Sequence, residues 1–60
     1  MINRVLVPLY NLKKGAVFIY KGDPHKKIDV TPGWHNAVIK NLSTGITSIV
    51  SLDTGVWVDD

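Results

Sequence analysis

The clearest hairpin pattern in the chain is the run Asn36-Ala37-Val38-Ile39-Lys40-Asn41-Leu42-Ser43-Thr44-Gly45-Ile46-Thr47-Ser48-Ile49-Val50. Segments rich in Val, Ile and Thr lie on both sides of a Leu-Ser-Thr-Gly connection, which is typical of two strands joined by a short loop. Gly45 can take the positive φ that such a loop requires when a bulge follows it. The run therefore predicts a central antiparallel pair of strands.

Other strand-like segments flank this hairpin. Residues 4–9 alternate weakly, and Pro8 marks them as an edge strand or an irregular lead-in. Residues 16–21 form a continuous apolar run, as found where both faces of a strand are covered. Residues 56–58, Val-Trp-Val, form a last strand. Five or six strands at about 10-residue spacing, without helical periodicity, predict one all-β domain over residues 1–60, a small SH3-like barrel of antiparallel strands.

Residues 25–30, His-Lys-Lys-Ile-Asp-Val, follow a tight turn at Lys21-Gly22-Asp23-Pro24 and predict the strand before the central hairpin. Period-2 alternation places Ile28 and Val30 together on one side. On this pattern Lys26 shares their apolar side, and the opposite side carries His25, Lys27 and Asp29.

Length and composition exclude several classes of function. A 60-residue chain buries only roughly 60% of its unfolded surface, so a large internal active site is not expected. There is no Cys and no Glu, and the two His stand ten positions apart without supporting ligands. No Ser-His-Asp order, paired carboxylates or Gly-rich phosphate loop is found. No apolar run approaches the ~20 residues of a membrane span. We expect no catalysis, no metal, no cofactor and no membrane partner.

The aromatic residues of the second half are the candidate partner-binding residues. Because Trp57 alternates with Val56 and Val58, it faces away from both valines and lies outside if they fill the core. Two interpretations stay open for Trp57: an exposed hot spot for a partner, or a plug in one end of the barrel. Two also stay open for Trp34, which either stacks on a ligand from its loop or folds back as a lid. His35 beside it is a polar loop residue.

A second set of candidates is basic. All seven Lys and Arg residues lie in residues 1–40, whereas three of the five Asp lie beyond them. The alternative site is therefore a face that contacts nucleic-acid phosphates, formed by Lys21, Lys26, Lys27 and Lys40. Solvated surface lysines are the other interpretation of the same residues.

Four short motifs of the chain, taken in order, carry a resemblance to a known family. They are Leu12-Lys13-Lys14-Gly15, Phe18-Ile19-Tyr20-Lys21-Gly22, Pro32-Gly33 and Ile39-Lys40-Asn41-Leu42-Ser43-Thr44-Gly45. The set resembles the N-terminal, KOW-like barrel of elongation factor P over about residues 12–50. In that family the loop after Pro-Gly carries a modified lysine that reaches the ribosomal catalytic centre. Here that loop offers Trp34 and His35 instead, so the resemblance does not imply that activity.

A second set of motifs spans nearly the whole chain. It shares Lys13-Lys14-Gly15, the Phe-x-Tyr-x-Gly pattern of residues 18–22 and Leu42-Ser43-Thr44-Gly45 with the first set, and it adds Asn36-Ala37-Val38 and Asp53-Thr54-Gly55-Val56-Trp57-Val58. This set resembles the small SH3-like proteins encoded in tailed phage genomes. The resemblance implies a setting, the host cytoplasm or the virion, more than a mechanism.

These observations together predict a non-enzymatic, phage-type accessory module that binds a protein partner, either a host machine or a virion component. The predicted contact surface is aromatic and consists of Trp57, Trp34 and His35. Self-association is a corollary if Trp57 lies on an edge strand that can pair. The alternative is a nucleic-acid- or ribosome-binding barrel that uses the lysine-rich face, with Trp34 as a stacking platform.

Overall fold

The chain forms six strands and one turn of 3-10 helix in residues 3–59, which are the residues described by the structure, a computed structural model. The strands are β1 (Arg4–Pro8), β2 (Val17–Tyr20), β3 (Asp23–Val30), β4 (Asn36–Asn41), β5 (Thr47–Ser51) and β6 (Gly55–Asp59), with the 3-10 turn at Leu9–Asn11. All pairings are antiparallel. The sheet curls into a half-barrel, which confirms the predicted all-β, small SH3-like barrel class.

The order of strands in the sheet is β1-β6-β2-β3-β4-β5. The last strand is therefore internal, since β6 pairs with β1 on one side and with β2 on the other. Its contact with β2 is narrow, with the single register pair Ile19↔Trp57. The two sheet edges are β1 and β5. Pro8 thus marks an edge strand as predicted, whereas the expectation that Trp57 lies on an edge strand is wrong.

One face of the curled sheet supplies the core. The fully or almost fully buried apolar side chains are Leu9, Phe18, Ala37, Ile39, Leu52 and Val56. The 3-10 turn closes one end of this core because its backbone is tied to the β5–β6 connection: Leu9 N donates to Thr54 O (3.0 Å) and Tyr10 N to Leu52 O (3.1 Å). Chain segments distant in sequence are thereby joined around the core.

The hairpin of β4 and β5 forms as the sequence predicts, but its predicted central position is wrong, because β5 is an edge strand of the sheet. Gly45 has φ +78°, and its N–H donates to Asn41 O (2.7 Å). The Asn41 side chain also holds the turn, because its Oδ1 accepts from Ser43 N (2.8 Å) and Thr44 N (3.1 Å). An Asn that bonds backbone groups two and three residues on is an Asx-type turn. Gly45 and Asn41 together therefore fix the register of β4 against β5.

The predicted faces of β3 are wrong, and a β-bulge is the reason. The register of β3 against β4 shifts between Lys27 and Asp29, so two inward positions, Lys27 and Val30, are three residues apart instead of two. For the residues before the bulge, the inward and outward sides are therefore the reverse of those that unbroken period-2 alternation predicts. His25 and Lys27 are buried and Lys26 is exposed.

The prediction that both faces of β2 are covered is also wrong. Phe18 is buried, but its neighbour Val17 is 57% exposed. Nothing in residues 3–59 packs over the outer face of the sheet at this position. The continuous apolar run therefore reflects one core face and one outer face that is apolar without being buried.

Candidate functional site

An apolar row crosses the outer face of the sheet. It consists of Leu6, Trp57, Ile19 and Pro24, one residue from each of β1, β6, β2 and β3, which the register places side by side. Leu6 is 59% exposed and Trp57 is 45% exposed, while Ile19 and Pro24 are half-buried. Adjacent strands lie about 4.8 Å apart, so four neighbouring side chains form a contiguous strip across the sheet.

Trp57 takes its outward position from its neighbours in sequence. Val56 is fully buried and Val58 packs against the core, so alternation directs Trp57 to the opposite face. The structure places Trp57 on the outer face rather than in an open end of the barrel. Beside it, Leu6 lies over Gly55, where a Cβ would come within 3.2 Å of Leu6 Cδ1. A larger residue at position 55 would therefore be crowded by the side chain of Leu6.

Two of the predicted basic residues face each other next to this row. Lys26 on β3 is the register partner of Lys40 on β4, and both are exposed on the outer face. Like charges directly opposite in an antiparallel pair are destabilising. Lys21 lies apart in the β2–β3 turn with φ +53°, its Nζ 5.3 Å from the centroid of the Tyr20 ring.

Lys27 does not belong to the basic face. Its ammonium is directed into the fold, where Nζ donates to Leu9 O (3.1 Å) and Leu12 O (2.6 Å). Both acceptors belong to the 3-10 turn and the residue after it. The backbone of Lys27 also bonds the opposite loop, because its N donates to Ala16 O (2.9 Å) and its O accepts from Gly15 N (2.7 Å). Lys27 therefore has a structural position that joins β3 to the N-terminal turn.

Trp34 lies in a strained loop between β3 and β4. It has φ +62° and follows Gly33 at φ +88°, and its N donates to Thr31 O (3.0 Å). A left-handed backbone is rare for a bulky residue and costs on the order of 1–3 kcal/mol. Burial does not offset this cost, since Trp34 is 76% exposed. The interpretation of Trp34 as a lid over the core is therefore wrong.

Beside Trp34 there is a shallow pocket of about 380 Å³, here called the Trp34 pocket. Tyr10 from the 3-10 turn lines it together with Trp34, and Leu12 and Val30 add apolar surface. The lysines at this pocket include Lys13 and Lys14, neither of which belongs to the predicted basic set, and Lys14 Nζ lies 3.7 Å from Asp29 Oδ2. Sequence reasoning missed the pocket because residues 10–14 and 34 meet only in the fold.

The predicted aromatic surface is thus divided. Trp34 is brought next to Tyr10, Lys13 and Lys14, whereas Trp57 belongs to the apolar row. His35 is exposed beside Trp34, and its carbonyl accepts from Leu52 N (3.2 Å), which anchors the loop to the β5–β6 connection.

His25 is a buried polar residue whose position the sequence did not reveal. Its Nδ1 lies 2.9 Å from Asp23 O, and its ring stacks on Phe18 with centroids 5.9 Å apart and planes at 11°. The Tyr20 ring makes a T-shaped contact with the same ring, with centroids 5.5 Å apart and planes at 78°. Within residues 3–59, no group of three or more His, Cys, Asp or Glu side chains could hold a metal ion.

No helix among these same residues is long and apolar enough to cross a membrane. No protein-family model, curated protein or solved structure matches the chain.

Proposed function

We propose that the protein is a non-enzymatic binding module that engages a protein partner through the apolar row centred on Trp57. The observation that carries this proposal is a contiguous, solvent-accessible strip of four apolar side chains on the outer face of the sheet. The resemblance to small phage-encoded SH3-like proteins supports an accessory role, with a host machine or a virion component as partner and the host cytoplasm or the virion as location.

The physical basis is that a large aromatic side chain on a rigid sheet loses little entropy on binding and buries much area. Trp residues are enriched among the few interface positions that contribute most of the affinity. Here hydrogen-bonded strands hold Trp57 between Leu6 and Ile19, so the partner meets a preformed surface. Lys26 and Lys40 flank the row, which favours a partner patch with an apolar centre and an acidic rim.

Replacing Trp57 with Ala is expected to abolish capture of the partner from host lysate while the domain stays folded. A central Trp of an interface contributes about 2–4 kcal/mol, which weakens binding by roughly 30- to 1,000-fold. The measurement is affinity capture with the tagged protein, with nuclease and at low and high salt, followed by circular dichroism of each variant. Trp34→Ala is the matched control, because it removes the other exposed Trp and leaves the row intact.

The proposal fails if Trp57→Ala retains the wild-type partner or if Trp34→Ala loses it equally. Should Trp57→Ala unfold, Leu6→Lys gives the decisive result, since this exposed side chain lies next to Trp57 in the row. A folded Leu6→Lys variant with unchanged capture excludes the row as the site.

A second candidate function is nucleic-acid binding, and the opposed Lys26–Lys40 pair favours it. Two lysines in direct cross-strand register are unfavourable to the fold and favourable to a polyanion. Lys14 adjoins Lys26 and Lys27 in one surface depression and also lines the Trp34 pocket, so exposed lysines lead from the pair toward an exposed aromatic. Bases could stack on Trp34 while phosphates contact these lysines.

This second function is tested by titrating the Trp57→Phe variant, in which Trp34 is the only Trp, with a single-stranded oligonucleotide. Binding should quench the Trp34 fluorescence and weaken steeply with salt, and Lys26→Gln should lower the log–log salt slope by about 0.7. Arg4→Gln is the control, because it lowers the net charge by the same one unit as Lys26→Gln but lies on β1, away from Lys14, Lys26 and Lys40. Absence of quenching at low salt, or quenching that salt does not affect, excludes this function.

A further inference from the structure

In the part of the chain that the structure describes, the edge of β5 shows none of the features that usually protect a sheet edge. The strand is Thr-Ser-Ile-Val-Ser, and residues 41–52 contain no charged residue and no Pro. Its register against β4 runs without a bulge. The other edge, β1, carries Arg4 and Pro8. Natural proteins guard edges with charge, Pro and bulges because an unguarded edge pairs with another strand.

The hydrogen-bonding groups at this edge can be assigned from the ladder. Asn41 N donates to Ile46 O (2.8 Å) and Leu52 N donates to His35 O (3.2 Å), which fixes which residue pairs of the hairpin exchange bonds. Because these pairs recur at every second position, Ser48 and Val50 bond β4. The N–H and C=O groups directed away from β4 are therefore those of Thr47, Ile49 and Ser51.

We propose that two copies of this chain associate by antiparallel pairing of their β5 edges, which joins the two sheets into one. Antiparallel pairing of a strand with its own copy is two-fold symmetric, so the same edge serves both partners. With Ile49 at the two-fold axis, Ile49 pairs with Ile49 of the second copy and Thr47 pairs with Ser51 on either side. These three residue pairs each exchange two backbone hydrogen bonds.

The side chains of this junction suit a second copy. Ile49 is 64% exposed on the outer face, and the symmetric pairing packs it against its own counterpart. The absence of charge in β5 matters most at the two-fold axis, because a charged residue there would lie opposite the same charged residue of the second copy. Lys40 is the register partner of Thr47, and Asp53 follows Ser51 by two residues. Antiparallel pairing brings Lys40 of one copy to the same end of the junction as Asp53 of the other, so the flanking charges are complementary.

The first test is hydrogen exchange of the whole chain at rising protein concentration, together with sedimentation. The amides of Ser48 and Val50 are protected by β4 in the monomer and in the pair. Those of Thr47, Ile49 and Ser51 should exchange quickly when dilute and become protected as the dimer forms. At a protein concentration of about 1 mM even weak association is detectable. The proposal is overturned if the sample is still monomeric at that concentration and the Ile49 amide still exchanges quickly.

Substitution at the axis gives the second test. Ile49→Lys and Ile49→Glu each place like charges opposite each other, and each variant alone should dimerise roughly 10- to 100-fold more weakly than wild type. An equimolar mixture of the two should recover a heterodimer, because Lys then faces Glu. Recovery in the mixture shows that both variants are folded, and circular dichroism of each variant alone checks folding independently.

The inference does not depend on the proposed function, because β5 contributes nothing to the apolar row. Trp57→Ala should leave the dimer unchanged. A dimer that Trp57→Ala abolishes and Ile49→Lys leaves intact assigns self-association to the row and overturns the β5 junction. A dimer that neither variant weakens, or a mixture of folded variants without recovery, also overturns it.

Discussion

Replacing Lys27 with Ala is expected to lower the free energy of unfolding by about 3 kcal/mol, because two charge-assisted hydrogen bonds disappear from inside the fold. The ammonium of Lys27 bonds the carbonyls of Leu9 and Leu12, and its stem fills space beneath the 3-10 turn. A domain of 60 residues has a total stability of roughly 3–9 kcal/mol, so the loss approaches the whole in the less stable case.

The measurement is urea denaturation followed by Trp fluorescence. Lys26→Ala is the matched control: it removes the adjacent, exposed lysine and should change stability by less than about 0.5 kcal/mol. Lys27→Met separates the two contributions, because it keeps an apolar stem and deletes the donors. If Lys27→Met is as stable as wild type, the hydrogen bonds to the turn do not stabilise the fold and only the buried stem matters.

Phe18→Ala is expected to be at least as damaging, with a loss of about 3–5 kcal/mol and an unfolded or molten domain at 25 °C. Phe18 is among the largest fully buried side chains, and it supports the stacked ring of His25. In so small a core the neighbours cannot close the cavity, so both the lost contacts and the remaining void count against the folded state.

Thermal unfolding by circular dichroism measures this effect, and Val17→Ala is its control. Val17 is the preceding residue on the same strand but lies on the exposed outer face, so its truncation should cost less than about 0.5 kcal/mol. Similar losses for both variants would mean that the inner and outer faces of β2 are not distinguished as the structure has them.

Local features of the fold can be predicted from the sequence because they depend on residues that are adjacent in the chain. The hairpin around Gly45 follows from turn chemistry, and period-2 alternation places Trp57 opposite Val56 and Val58, although it leaves open whether Trp57 is exposed or plugs an end of the barrel. The inward side of Lys27 could not be predicted, because it requires a bulge that no residue type in β3 announces. Unbroken alternation places Ile28 and Val30 on one side of β3. The extra residue of the bulge between Lys27 and Asp29 reverses the sides of the residues before it.

The candidate binding surfaces can be predicted only in part from the sequence, and the reason is different. Trp57 and Trp34 were identifiable as aromatic residues, but their neighbours depend on pairings between segments far apart in the chain. Leu6 joins Trp57 through the β1–β6 pairing, and Tyr10 joins Trp34 through the position of the 3-10 turn. Alternation within one strand carries no information about which strand lies next to it.

The internal position of β6 has a consequence for synthesis on the ribosome. Residues 55–59 are synthesised after the five other strands that the structure describes. They nevertheless supply all the register partners of β1 and place Val56 in the core. While that segment is inside the exit tunnel, β1 has emerged with nothing to pair with and the core is incomplete. A nascent chain stalled before residue 55 should therefore remain protease-sensitive, because β1 cannot pair until β6 has left the ribosome.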